Sequence, residues 1–250
     1  NKIIFTIEES NGIIEQKDII DKLSAGDQKE ANALSFICLG SSRIISIEQE
    51  GIEKSWALNK KAVDKVKEVG LVIESILNKE HKLLSDEEMI KKVTAVKQDV
   101  AGDEIISYAK VLSGIRKNNF GKWGITEWIE ISPKGTRERI YTVLKEKGRP
   151  MHFTDIAKMI DQFGLSKRKA HIQTVHNELI KNEQFVLVGR GIYALKEWGY
   201  SKGTIQDVLE NILAKSRKSL TKEEILKEVS LVRQVKKATV LINLSNSKLF

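Results

Sequence analysis

Apolar residues fall at helical spacing in four stretches of the chain: Ile3/Ile4/Ile7, Val72/Ile73/Ile76/Leu77, Ile140/Val143/Leu144 and Val208/Leu209/Ile212/Leu213. Side chains three and four apart share one face of a helix, so each stretch predicts an amphipathic helix with its stripe turned to a core. A related motif follows each stretch: NGIIEQKDIIDKL, HKLLSDEEMIKKV, RPMHFTDIAKMI and KSLTKEEILKEV. Ile19, Met89, Ile156 and Ile225 hold the same place in it, at intervals of 70, 67 and 69 residues. In two copies an acceptor stands three residues before an acid, Ser85/Glu88 and Thr221/Glu224. Such a capping box satisfies the open amides of a first turn and marks the start of a second helix. A third helical stretch carries Leu34/Cys38, Val111/Ile115, Val175/Leu179 and Val240/Leu244, each pair four apart and so on one face. β-Branched and aromatic runs come next, ending in Trp56-Ala57-Leu58, Trp123-Gly124-Ile125 and Tyr193-Ala194-Leu195.

Each copy thus reads helix, helix, helix, β-hairpin, and a repeat of this length is a small domain duplicated along the chain, not a solenoid unit. That order is the winged helix-turn-helix, in which the outward face of the third helix enters the major groove and the hairpin lies alongside. The predicted fold class is mainly α with small β-hairpin wings, as four tandem winged helices at 1–66, 67–134, 135–200 and 201–250. The clearest hairpin is FVLVGRGIYAL at 185–195, where Gly189 and Gly191 allow the positive φ of a tight reversal and Arg190 takes the tip. By the repeat, Phe250 is the first residue of a strand whose partner is absent, so the fourth copy is expected to be incomplete at its wing and both chain ends to be cut from something longer. Between copies, Asn59 to Gly70 is charged and helix-compatible, Pro133 breaks any helix, and 199–203 is flexible.

The third copy, with RPMHFTDIAKMI, QFVLVGRGIYALKEWG and the helix between them, resembles the HARE-HTH domain over residues 136–200. The resemblance implies a winged helix of the kind found in the delta subunit of bacterial RNA polymerase, fused to sigma-factor-like helix-turn-helix regions, and attached to restriction endonucleases and chromatin regulators. It extends to the other copies only through the internal repeat. The first has Asn11-Gly12 where the third has Arg149-Pro150, and the second ends at Trp123 without a Gly-Arg-Gly tip.

Charge placement sharpens this picture. Residues 135–200 hold 12 Lys and Arg against 7 Asp and Glu, residues 201–250 hold 10 against 5, and residues 1–134 hold 20 against 22, within an overall +8. Phosphate neutralisation supplies most non-specific DNA affinity, so duplex DNA is the partner expected for 135–250. The candidate contacts in the third copy are Lys167, Arg168 and Lys169 at a helix start, His171, Gln173, Thr174 and Asn177 alternating with buried Ile172 and Val175, and Arg190 on the wing. The fourth copy offers Arg233, Lys236, Lys237 and Thr239 in the same region. The third helices of the first two copies start acidic, with Asp27 and Glu30 around Lys29, and with Asp103 and Glu104. Acidic starts repel phosphate and suit protein contact, RNA polymerase being the partner the resemblance implies for 1–134.

Other chemistry finds little footing. Cys38 is the one cysteine and reads as a core thiol; His171 and His176 are five apart, which does not align two ligands on a helix face, so no metal or cofactor is expected. Gly189-Arg190-Gly191 lies between strands and lacks the helix that would receive a pyrophosphate. Trp56, Trp123 and Tyr193 recur at one place per copy, as wing-to-core packing residues do, while Trp128 and Trp198 have no assigned place. No apolar run reaches the ~18 residues of a membrane span, and no secretory signal is visible. The expectation is a non-enzymatic, cytoplasmic, nucleoid-associated DNA-binding or polymerase-associated transcription module. Two alternatives stay open: a scaffold that docks on polymerase without touching DNA, and the DNA-recognition part of a restriction or repair enzyme.

Overall fold

The computed structural model describes residues 2–24, 27–200, 205–216, 219–232, 235 and 237–245. The chain divides into two compact units, Asn1–Ser132 and Pro133–Phe250, each mainly helical with small antiparallel sheets.

Unit 1 opens with α1 (Lys2–Glu8), β1 (Ile13–Glu15), α2 (Gln16–Ser24), α3 (Gln28–Gly40), β2 (Ile45–Gln49) and β3 (Ile52–Ala57). It continues with α4 (Lys60–Glu80), α5 (Asp86–Val96), α6 (Gly102–Val111), β4 (Ile115–Lys117) and β5 (Trp123–Ile125). The charged stretch after Asn59 is helical and runs without a break into the predicted first helix of the second copy. Asn59 caps α4 by accepting the Ala62 amide at 2.9 Å. The capping box at α5 is formed in both directions: Glu88 N–H donates to Ser85 Oγ, and Ser85 N–H donates to the Glu88 carboxylate.

Unit 2 holds α7 (Thr136–Lys147), β6 (Met151–His152), α8 (Phe153–Gln162), α9 (Ile172–Lys181), β7 (Phe185–Gly189) and β8 (Ile192–Leu195), closed by a 3-10 turn at Lys196–Trp198. Then come α10 (Ile205–Lys215), α11 (Lys222–Val232) and α12 (Lys237–Leu244). Thr221 and Glu224 exchange the capping-box bonds that open α11. Phe250, where a fourth wing was expected to begin, lies outside the described residues.

Two of the sheets are three-stranded, ordered β1-β3-β2 and β6-β8-β7. The short strand between the first two helices pairs with the last strand, Ile14 against Trp56 and Met151 against Tyr193. Between α4 and α5 a single bridge, Leu84 to Trp123, does the same. Strands of two or three residues carry no readable alternation, and the sequence pattern did not expose them. Trp56, Trp123 and Tyr193 are all buried, fastening each sheet to its helices.

Three expectations need correction. Ile115 does not share a helix face with Val111, because α6 ends at Val111 and Ile115 opens β4; the core-facing pair of that helix is Ile105/Ala109. Apolar spacing alone could not distinguish the end of the helix from the start of the strand. In the 185–195 hairpin only Gly191 takes a positive φ, +70°; Gly189 ends its strand, paired with Ile192. Ile172 is not buried: as the first residue of α9 it precedes the turn that packs, and it is 45% exposed.

Candidate nucleic-acid interface

α8 and α9 are joined by a turn that the chain locks with its own side chains. Leu165 N–H returns to Ile160 O at 3.0 Å, and Gly164 has φ +59°. Asp161 Oδ1 accepts the Ala170 amide at 2.6 Å, and Ser166 Oγ accepts the Arg168 amide at 3.3 Å. Lys167, Arg168 and Lys169 stand on this turn with exposed side chains. They do not start the helix as expected: His171 is the N-cap, so the cations precede it. A positive charge in the first turn would oppose the helix dipole, whereas on the preceding turn it can serve an anion at that end.

The three cations line an open cleft of about 840 Å³, together with His171 and Thr174 at the head of α9 and Arg139 from α7. Arg139 donates from Nη2 to Lys134 O at 3.0 Å, while its buried Nε meets no protein acceptor. The sequence reading did not include Arg139, because nothing local links a helix-one arginine to a turn 28 residues on. On the outward face of α9, Gln173 Nε2 donates to Asn177 Oδ1 at 3.0 Å, and Thr174 and Lys181 are exposed beside them. Val175 and Leu179 face the core. His176 packs inward, stacked on Phe153 at 4.2 Å and edge-on to Tyr193 at 6.0 Å. No group of three metal-ligating side chains occurs among the described residues.

The wing after α9 is a hairpin with a two-residue tip, Arg190-Gly191, and a bulge between Leu187 and Gly189. Arg190 is exposed there and does not line the cleft. The predicted contacts therefore fall into three groups: Lys167, Arg168, Lys169, His171 and Thr174 around the cleft, Gln173 and Asn177 on the outward face, and Arg190 on the wing. In the last three helices, Lys237 opens α12 and Thr239 is its third residue, as Thr174 is of α9; both are exposed. Arg233 and Lys236 lie outside the described residues.

Unit 1 is built differently. The outward face of α6 is covered by β1 and β3, with Asn11 Nδ2 donating to Ser107 Oγ at 3.0 Å. Ile52 bridges Leu112, Ser113 N–H donates to Gly51 O at 3.2 Å, and Arg116 pairs with Glu53 at 2.9 Å. Ile13, Ile52 and Ala57 from the first sheet share one core with Val66, Ile73, Ile105 and Trp123. α6 and the β2–β3 hairpin are thus used up on each other.

Three helices with the second and third joined by a locked turn, followed by an antiparallel hairpin, define residues 136–198 as a domain of the helix-turn-helix class. The same residues match the HARE-HTH family, whose description is that of a helix-turn-helix domain named in part for ASXL and restriction endonuclease. The chain therefore carries a HARE-HTH domain at 136–198, about a quarter of its length. No curated protein matches the chain.

Proposed function

We propose that the protein is a DNA-binding module in which unit 2 holds the duplex through phosphate contacts, with low sequence preference. The observation that carries this reading is the cleft at the α8–α9 turn, where Lys167, Arg168, Lys169 and Arg139 converge at the open end of α9. Helix N-termini and convergent cations favour a phosphate on the same grounds. Gln173, Thr174 and Asn177 then face the groove, and Arg190 reaches a second stretch of backbone. In this reading the chain is four tandem winged helices bounded as in the sequence. The fourth supplies Lys237 and Thr239, with Arg233 and Lys236, to the same strand of phosphates, and the protein acts in the cytoplasm on the nucleoid without catalysis. The role closest to the resemblance is bacterial transcription, as part of a sigma-like or delta-like protein, with unit 1 meeting RNA polymerase. The near-neutral charge of unit 1 and its covered α6 support protein contact there.

The test is duplex binding by the full chain across about 50 to 200 mM salt, where six or more phosphate contacts lose roughly 10³-fold or more in affinity. Replacing Lys167, Arg168 and Lys169 by Gln should weaken binding to all sequences alike and lower the salt slope by about three; Arg190→Ala should lower it by about one. Replacing exposed Lys61 and Lys67 of unit 1 should change neither. A salt-independent signal, or an equal loss from the unit 1 pair, would overturn the reading.

A further inference from the structure

Gln173 and Asn177 stand one turn apart on the outward face of α9, and the hydrogen bond between them orients both amides. With Gln173 Nε2 donating to Asn177 Oδ1, Asn177 Nδ2 is left as a donor and Gln173 Oε1 as an acceptor, both on exposed side chains and without a protein partner among the described residues. Turning both amides over leaves the same complement, one donor and one acceptor. The pair occupies the second and sixth residues of α9, in the first two turns, where a helix-turn-helix reaches base edges. Exposed cations flank it, Lys167 to Lys169 before the helix and Lys181 one turn beyond the pair. Glu178, the acid of α9, accepts from Asn182 Nδ2 at 2.7 Å, so its carboxylate is engaged at the far end of the helix. α3 carries a pair of the same kind in other surroundings: Gln28 Nε2 donates to Asn32 Oδ1 at 3.2 Å. There the neighbours are the exposed acids Asp27 and Glu30, and one turn beyond stands Phe36, 80% exposed, beside Ile37, 54% exposed. Acids keep that pair off a phosphate backbone, whereas the cations around the pair on α9 draw it in.

We propose that the Gln173–Asn177 pair reads adenine in the major groove, Asn177 donating to N7 and Gln173 accepting from the N6 amino group. The proposal rests on the DNA reading above and adds a base preference to it. Adenine alone among the four bases presents an acceptor beside a donor on its major-groove edge. Guanine presents two acceptors, N7 and O6, while cytosine and thymine present one polar group each. Guanine in the same place sets O6 against Gln173 Oε1, two acceptors with no hydrogen between them, and both lose water without replacement. Because the two amides already hold each other, little side-chain freedom is lost when the base is bound. Thr174, also exposed and three residues before Asn177 on the same face, offers its methyl group to the C5-methyl of a thymine, a second contact that favours A·T. The phosphate contacts at the cleft carry no sequence information, so the preference is confined to the bases under the pair and overall selectivity stays low.

The experiment is fluorescence-anisotropy binding of the full chain, at about 100 mM salt, to duplexes of one length. The duplexes are A·T only, A·T with 7-deazaadenine in place of adenine, G·C only, and inosine·cytosine, which joins the major-groove edge of guanine to a minor groove like that of A·T. The A·T duplex should bind about tenfold more tightly than each of the others. Gln173→Ala with Asn177→Ala should abolish the difference while salt slope and circular dichroism stay as in the parent, since both side chains are exposed and alanine favours the helix. Gln28→Ala with Asn32→Ala should change nothing. Equal binding to A·T and G·C with a steep salt slope would overturn the adenine assignment and leave the phosphate reading standing. A preference that survives the Gln173/Asn177 double substitution would also overturn it, as would inosine·cytosine binding as tightly as A·T, which places the readout in the minor groove. Binding without salt dependence would overturn both readings together.

Discussion

Single side chains hold the small sheets to the helices. Asp86, the first residue of α5, accepts Trp123 Nε1–H at 2.6 Å and pairs with Lys117 at 2.7 Å, clamping β4 and β5 onto the helix start. Partial burial works against the charge on Asp86, but the hydrogen bonds from Lys117 and Trp123 outweigh it and hold the carboxyl below its ordinary value of 3.8. Asp86→Ala leaves a buried indole N–H unpaired and should cost about 1–3 kcal/mol, read as a shift in denaturant midpoint; Asp86→Asn, which keeps an acceptor, should cost less. A lowered folded pKa means that the stabilisation is present above the unfolded value and fades as pH falls through the folded one. The gap between parent and Asp86→Ala should therefore shrink below about pH 4. A gap that is constant from pH 7 to 3 would show the carboxylate charge to be irrelevant. Cys38 shows the opposite shift: burial alone pushes its thiol up to about 11, as befits a core residue.

At the scale of elements, two hairpins share one design. Each has a two-residue tip ending in a positive-φ glycine, Glu50-Gly51 and Arg190-Gly191, and each has a bulge one step before it. Their glycines differ in surroundings. A Cβ at Gly191 would stand 2.5 Å from His152 Nε2, whereas one at Gly51 meets nothing within 4 Å. Gly51→Ala should cost only the left-handed backbone penalty, about 1 kcal/mol. Gly191→Ala adds overpacking against His152 and Phe153 and should cost on the order of 2–3 kcal/mol, loosening β6 from β8. Urea midpoints of the two variants decide this, and equal losses would refute the packing argument. The first tip was not picked out from the sequence, although Glu-Gly between β-branched runs carries the same signal as Arg-Gly.

At the scale of the molecule, unit 1 holds one continuous core, because Ile13, Ile52 and Ala57 of the first sheet lie in the same cluster as α4 and α6. Ile13→Ala, at a fully buried site, should cost about 2–5 kcal/mol. It should also lower hydrogen-exchange protection in α6 as much as in β1 and β3, while α9 of unit 2 keeps its protection. Unchanged protection in α6 would mean that the first sheet and α6 unfold independently despite the shared core. The shared core covers the outward face of α6, whereas α3 and α9 keep exposed outward residues.

The helices, the capping boxes, the third-copy hairpin and the basic bias of the second half were all legible in the sequence, since each depends on residues close in the chain: periodicity, a cap three positions from its partner, a tip between two strands. Most of the candidate interface was legible for the same reason, because Lys167 to Asn177 is a contiguous stretch. Which third helices are open was settled by tertiary packing alone. Whether a face such as Glu104/Ser107/Val111 is covered depends on a sheet more than 40 residues earlier, and no local pattern distinguishes it from the open face of α9. Arg139 joined the cleft through the same kind of distant contact. The exposure of Phe36 and Ile37 was hidden too, because apolar residues all round a helix read as core until the fold shows which side has no neighbour.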